Sequence, residues 1–192
     1  MKFSSMLVLG ALALAGCAGG GLTPMNTATM PLNQYGAPLM SQGAAINLSS
    51  WALNDPAVTA GKPELAARAI AAEDWLAGQT ILYGNYGAYS PGGEYAWQVF
   101  RRQVRAAIGV PQDAPSQELV DRLLATASAL KAGNVAAARA QLSAPIFTLG
   151  PDRTLAALGD LPPFGGRDWA FAQLEQNTNR SIGTSPMGGL FH

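Results

Sequence analysis

Trp97-Gln98-Val99-Phe100-Arg101-Arg102-Gln103-Val104-Arg105-Ala106-Ala107-Ile108 is the stretch from which the fold is read. Trp97, Phe100, Val104 and Ile108 recur at spacings of 3, 4 and 4, which is the period of an α-helix with one apolar face. Arg101, Arg102 and Arg105 gather on the adjoining flank. A basic flank beside an apolar face suits a phospholipid surface or an acidic partner. The ordinary alternative is a helix packed on a core, with its arginines solvated or paired with acids such as Glu73 and Asp74.

Upstream, Lys62-Pro63 opens a second helical pattern, since proline is suited to a first turn. Leu65, Ala69, Ala72 and Leu76 share one face, and Gly78 is expected to weaken or end the helix. Glu73 falls on the flank, where a carboxylate is expected at the solvent edge because a buried one needs a partner. Tyr83 to Gly93 is rich in glycine and tyrosine and reads as an irregular loop. Seven of the fifteen aromatics lie between Trp75 and Phe100, so Tyr83, Tyr86, Tyr89 and Trp97 are candidates for stacking on a glycan or peptide. The competing reading is that these rings pack the loop onto the helices.

Downstream, Ser116 is placed as an N-cap after Pro115, and Leu119, Leu123, Ala127 and Leu130 form the next apolar stripe. Gly133-Asn134 makes a stop, and Val135 to Leu142 reads as a partner helix. This hairpin resembles the small-residue packing of tetratricopeptide repeats, but no second copy follows at a fixed period. Pro151 to Leu158 is a short helix ending at Gly159. Leu161 to Gly166 is an extended link, and Asp168 begins a last helix that carries Trp169 and Ala172. Alternating β-branched runs are almost absent. The expected fold is therefore mainly α, a small irregular domain of about five or six helices after a flexible N-terminal tether.

Charged residues make up 12% of the 192-residue chain, about half the usual share. The 12 basic and 12 acidic side chains balance, which argues against nucleic acid, whose binders concentrate positive charge. A surface so poor in charge favours a covering partner or self-association. From Ala18 to about Ser50 there is no charge, and Gly, Pro, Asn and Ser recur without period, so residues 17–50 read as the tether. Residues 51–178 are read as the helical domain and 179–192 as a tail.

The chain opens with Lys2, an uncharged run from Met6 to Ala15, and Leu14-Ala15-Gly16-Cys17. A positive start followed by a short apolar run is the layout of an export signal. The run is about half the length needed to cross a bilayer as a helix. Its end resembles the lipobox of bacterial lipoproteins. The resemblance covers only the leader, and it implies a diacylglyceryl group on the Cys17 thiol, cleavage of residues 1–16, and acylation of the new amino group by a palmitate-type chain. Cys17 is the only cysteine, so lipidation also accounts for an odd thiol in an exported protein. In the enterobacterial members of that family an Asp after the cysteine retains the protein in the inner membrane. Ala18 stands here, so the resemblance favours an outer membrane address facing the periplasm.

Chemistry is thinly supplied. The single histidine is His192, in a Gly- and Ser-rich tail, and a serine nucleophile ordinarily needs a base beside it. One histidine and one lipidated cysteine do not make a metal site, and no phosphate-binding glycine motif is present. No catalytic residue and no cofactor is assigned. The expected function is that of a membrane-anchored envelope lipoprotein that binds or scaffolds another protein, using Tyr83, Tyr86, Tyr89, Trp97, Arg101, Arg102 and Arg105 as contacts. The alternative is binding, or less readily cleavage, of glycan or peptidoglycan.

Overall fold

The computed structural model describes residues 27–82, 91–166 and 172. The leader, Cys17, the tyrosines at 83, 86 and 89 and the expected last helix, Ala172 apart, lie outside the described residues. The protein is mainly α-helical: among the described residues there are seven helices and no strand, only an isolated bridge between Leu32 and Pro38. In chain order they are α1 (Gln42–Ala52), α2 (Pro56–Thr59), α3 (Pro63–Leu82), α4 (Pro91–Ala107), α5 (Ser116–Lys131), α6 (Val135–Gln141) and α7 (Pro151–Leu158).

The longest helix, α3, is the hub. It packs most extensively on α5 and α1, and also on α4 and α7. Its expected apolar stripe is only part of what it buries: Ala66, Ala67, Ala69, Ile70, Ala71, Ala72, Leu76 and Ala77 are all inside. A helix enclosed on several sides needs side chains short enough to let its neighbours approach, and alanine supplies them. The helix runs through Gly78, which was expected to weaken or end it. An interior glycine costs a helix only about 1 kcal/mol.

The stripe on α4 goes where its period sends it. Trp97, Phe100, Val104 and Ile108 are buried, and Phe100 meets Trp97 and Phe164 edge-on at ring separations of 6.0 and 5.8 Å. The link after α7 is pinned alongside, since Gln103 exchanges two hydrogen bonds with the backbone of Gly165 at 3.0 and 3.1 Å. Helix α4 begins at Pro91, inside the segment read as irregular. Proline with its fixed φ opens a helix well.

Helices α5 and α6 form the expected hairpin. Gly133 turns the chain with φ 72°, and the Asn134 side chain accepts from the Ala137 amide to cap α6. Ser116 was expected to cap α5, but Pro115 occupies that position and Ser116 begins the helix. Its hydroxyl is engaged with arginines from α4 instead.

The boundary of the body lies earlier than residue 50. Ala28, Met30 and Met40 are buried in the core, and Thr29 and Gln117 of α5 exchange two hydrogen bonds at 2.7 and 3.1 Å. Ser41 then caps α1, which buries Ala45, Ile46, Ser49 and Ala52.

Candidate functional site

Among the described residues, three features collect polar or exposed apolar groups. The first is an ion cluster between α3, α4 and the start of α5. Asp74 of α3 is fully buried and receives two hydrogen bonds from each of two guanidinium groups. Arg101 donates through Nε and Nη2 at 3.1 Å each, and Arg105 through the same atoms at 2.7 and 3.0 Å. Both arginines also donate to the Ser116 hydroxyl. The remaining Arg105 nitrogen donates to the carbonyl oxygens of Pro111, Gln112 and Ala114 at 3.3, 3.0 and 2.9 Å. One guanidinium thus closes the α4–α5 connection onto α3. Paired forks of this kind are the strong, geometrically specific form of ion pair.

Glu73 is the neighbour of Asp74 and its opposite. It is fully buried, not at the solvent edge as expected, and neither carboxylate oxygen has a hydrogen-bond partner. Burial raises its pKa well above the ordinary glutamate value, and the negative charge of Asp74 adds to the rise, against a smaller pull from Arg101 and Arg105. For Asp74, burial pushes upward too. The hydrogen bond from Arg105 and the charges of both arginines outweigh it, so its carboxyl is held below the usual value. The two neighbouring carboxyls are thus shifted in opposite directions, Glu73 toward its protonated form and Asp74 toward its ionised form.

This geometry corrects the reading of α4 as a contact surface. Trp97, Arg101 and Arg105 are buried against neighbouring elements and do not reach the surface. Arg102 alone of the three arginines is exposed. Pairing with Asp74 was one of the two alternatives the sequence allowed, and it is the one adopted.

The second feature is a groove where the 39–40 segment meets α3 and α5. It has a volume of about 300 Å³ and is lined by Leu39, Met40, Glu64, Arg68, Leu124, Ala127, Ser128 and Lys131. Met40 and Ala127 are buried, whereas Ser128 and Lys131 are exposed. Its walls carry both signs of charge, and Arg68 and Glu64 pair across one helical turn at 3.5 Å. No sequence signal marked this groove, because its residues come from three segments and only packing brings them together.

The third feature is the turn at 31–39, which is tightly built. Asn33 donates from its amide to the Ala37 carbonyl at 2.7 Å, and its side-chain oxygen accepts from the amides of Tyr35 and Ala37. The Leu39 amide donates to the Pro31 carbonyl at 2.7 Å, and Gly36 supplies the left-handed residue at φ 74°. Leu32, Tyr35 and Leu39 stand out from it, 63, 84 and 53% exposed.

Among the described residues no three His, Cys, Asp or Glu side chains come together as metal ligands. No described helix is long and apolar enough to cross a membrane. No protein family, curated protein or solved structure matches the chain. The fold and these features define an α-helical domain with a buried ionic clamp and an open, mixed-charge groove.

Proposed function

We propose that the mature chain is an exported lipoprotein, held to the envelope by lipid on Cys17, whose helical domain binds another envelope protein. The observation that carries the binding half is the groove between α3 and α5. Its buried Met40 and Ala127 are bordered by Glu64, Arg68 and Lys131. An apolar centre with a polar, mixed-charge border matches the anatomy of a protein contact, and a single-sign border would have pointed to nucleic acid or phosphate. The anchor rests on the leader, where Leu14-Ala15-Gly16 precedes the only cysteine. Two or more acyl chains on one residue hold a protein to a bilayer, whereas one does so only marginally. Of the membranes, the outer one is favoured by Ala18 after the cysteine.

The test is photo-crosslinking in intact cells from Ser128, at the groove, with mass spectrometry of the adducts. One reproducible protein adduct, lost when Lys131 and Arg68 are both changed to glutamate, supports the reading. Adducts to glycan alone would replace it with the glycan-binding alternative. Fractionation of the Cys17→Ser variant checks the anchor separately. It should leave the membrane fraction or remain unprocessed, and a mature-sized chain still in the membrane would refute lipid attachment.

A further inference from the structure

We propose that the turn at Leu32 to Leu39 seats on the lipid bilayer and fixes the orientation of the domain on its membrane, an inference that rests on the lipid anchor proposed above. Six large apolar side chains are exposed among the described residues, and Leu32, Tyr35 and Leu39 are three of them within eight positions. Single exposed apolar residues are ordinary, but a local group of them marks a contact.

The turn is built to present these side chains. Met30 and Met40 are buried on either side of it, and the Asn33 side chain holds the amides of Tyr35 and Ala37 from within. The exposure of Tyr35 is therefore imposed by a stapled backbone. Presenting apolar groups on a rigid support lowers the ordering cost of any contact they make.

Chain length and charge identify the occupant. Thr27, the first described residue, is ten residues after Cys17, and a fully extended chain of that length spans no more than about 36 Å. The turn is thus held close to the bilayer, where a tethered contact operates at roughly millimolar effective concentration. Two or three apolar side chains, too weak to retain a free protein, suffice under that condition. After Lys2 the first charged residue is Asp55, so the tether, the turn and α1 bring no ionised group toward the hydrocarbon. Tyrosine is also suited to the headgroup level, with its ring toward the acyl chains and its hydroxyl in water. Leu39 borders both the turn and the groove, so a protein bound in the groove sits close to the lipid surface.

The experiment uses the lipidated mature chain reconstituted in phosphatidylethanolamine and phosphatidylglycerol vesicles. Because Cys17 is consumed by lipid, Tyr35→Cys introduces the one reactive thiol, for a polarity-sensitive fluorophore. The label at position 35 should emit at shorter wavelength than the same label at exposed Ala140→Cys of α6, and nitroxide-bearing lipids should quench it preferentially. Leu39→Cys should respond like Tyr35→Cys, which guards against a local effect of one substitution. Water-like emission at both turn positions on a chain that floats with the vesicles overturns the seating and leaves the anchor standing. A chain that does not float overturns both. Emission that shifts only in native membranes, and not on pure lipid, assigns the turn to a protein partner and overturns the inference.

Discussion

Glu73 and Asp74 are adjacent in sequence and equally buried, yet the fold treats their charges in opposite ways. Asp74 collects four hydrogen bonds from Arg101 and Arg105, and Glu73 has none. Burial and the Asp74 charge raise the Glu73 pKa, so above the ordinary glutamate range the folded chain keeps a proton that the unfolded chain has released. Stability then falls as pH rises toward the raised value, with a slope of at most about 1.4 kcal/mol per pH unit. Asp74 has the reverse sign: its contribution is present above the ordinary aspartate range and is lost as pH falls through its lowered value. Urea titrations across the range from about pH 4 to 8 should show the stability of Glu73→Gln gaining on that of wild type as pH increases. A constant difference would mean that Glu73 is ionised in the fold. Asp74→Asn should lose about 3–5 kcal/mol at neutral pH, because two buried guanidinium groups lose their counter-ion. The sequence offered the Asp74 pairing as an alternative but put Glu73 at the solvent edge. Successive helix residues point about 100° apart, so both acids are interior only on a helix enclosed from several directions, and a single amphipathic stripe does not reveal that.

At the scale of elements, a helix was legible where large apolar residues set its period, as on α4 and on α5 with its hairpin partner. It was not legible where the buried face is small or polar. The interior side of α1 is Ala45, Ile46, Ser49 and Ala52, and the Ser49 hydroxyl satisfies itself by donating to the Ala45 carbonyl at 2.6 Å. Such a stripe has no hydrophobic period to detect. The turns separate in a testable way. Gly109 and Gly133 both have left-handed backbones, at φ 69° and 72°. A Cβ at Gly109 would collide with the side chain of Leu149, while at Gly133 it meets nothing. Gly133→Ala should therefore cost only the left-handed penalty of about 1–2 kcal/mol. Gly109→Ala should cost that plus about 1–3 kcal/mol for displacing Leu149. Equal losses in thermal unfolding would show that Leu149 moves aside freely.

For the whole molecule, the decisive departure from the sequence reading is where the body begins. Residues 17–50 read as a tether because they are uncharged, proline-bearing and aperiodic, which are the marks of a chain that cannot bury enough surface to order itself. Those marks describe a segment on its own, whereas Met30 and Met40 are buried on a core that other segments build. The Thr29 backbone is paired with Gln117, 88 positions away. The segment thus belongs to the fold through partners that no local window contains. Two side chains decide the matter experimentally. In a tether, Met30→Ala and Met40→Ala would each change stability by less than about 0.5 kcal/mol. As core residues they should each cost about 2–5 kcal/mol, through lost burial and the space left behind. Met40→Ala should also open the groove floor beside Ala127, so its loss should fall toward the lower end if α3 and α5 close over the space. Chemical denaturation of the two variants measures both effects, and a pair of near-zero changes would return the start of the domain to residue 51.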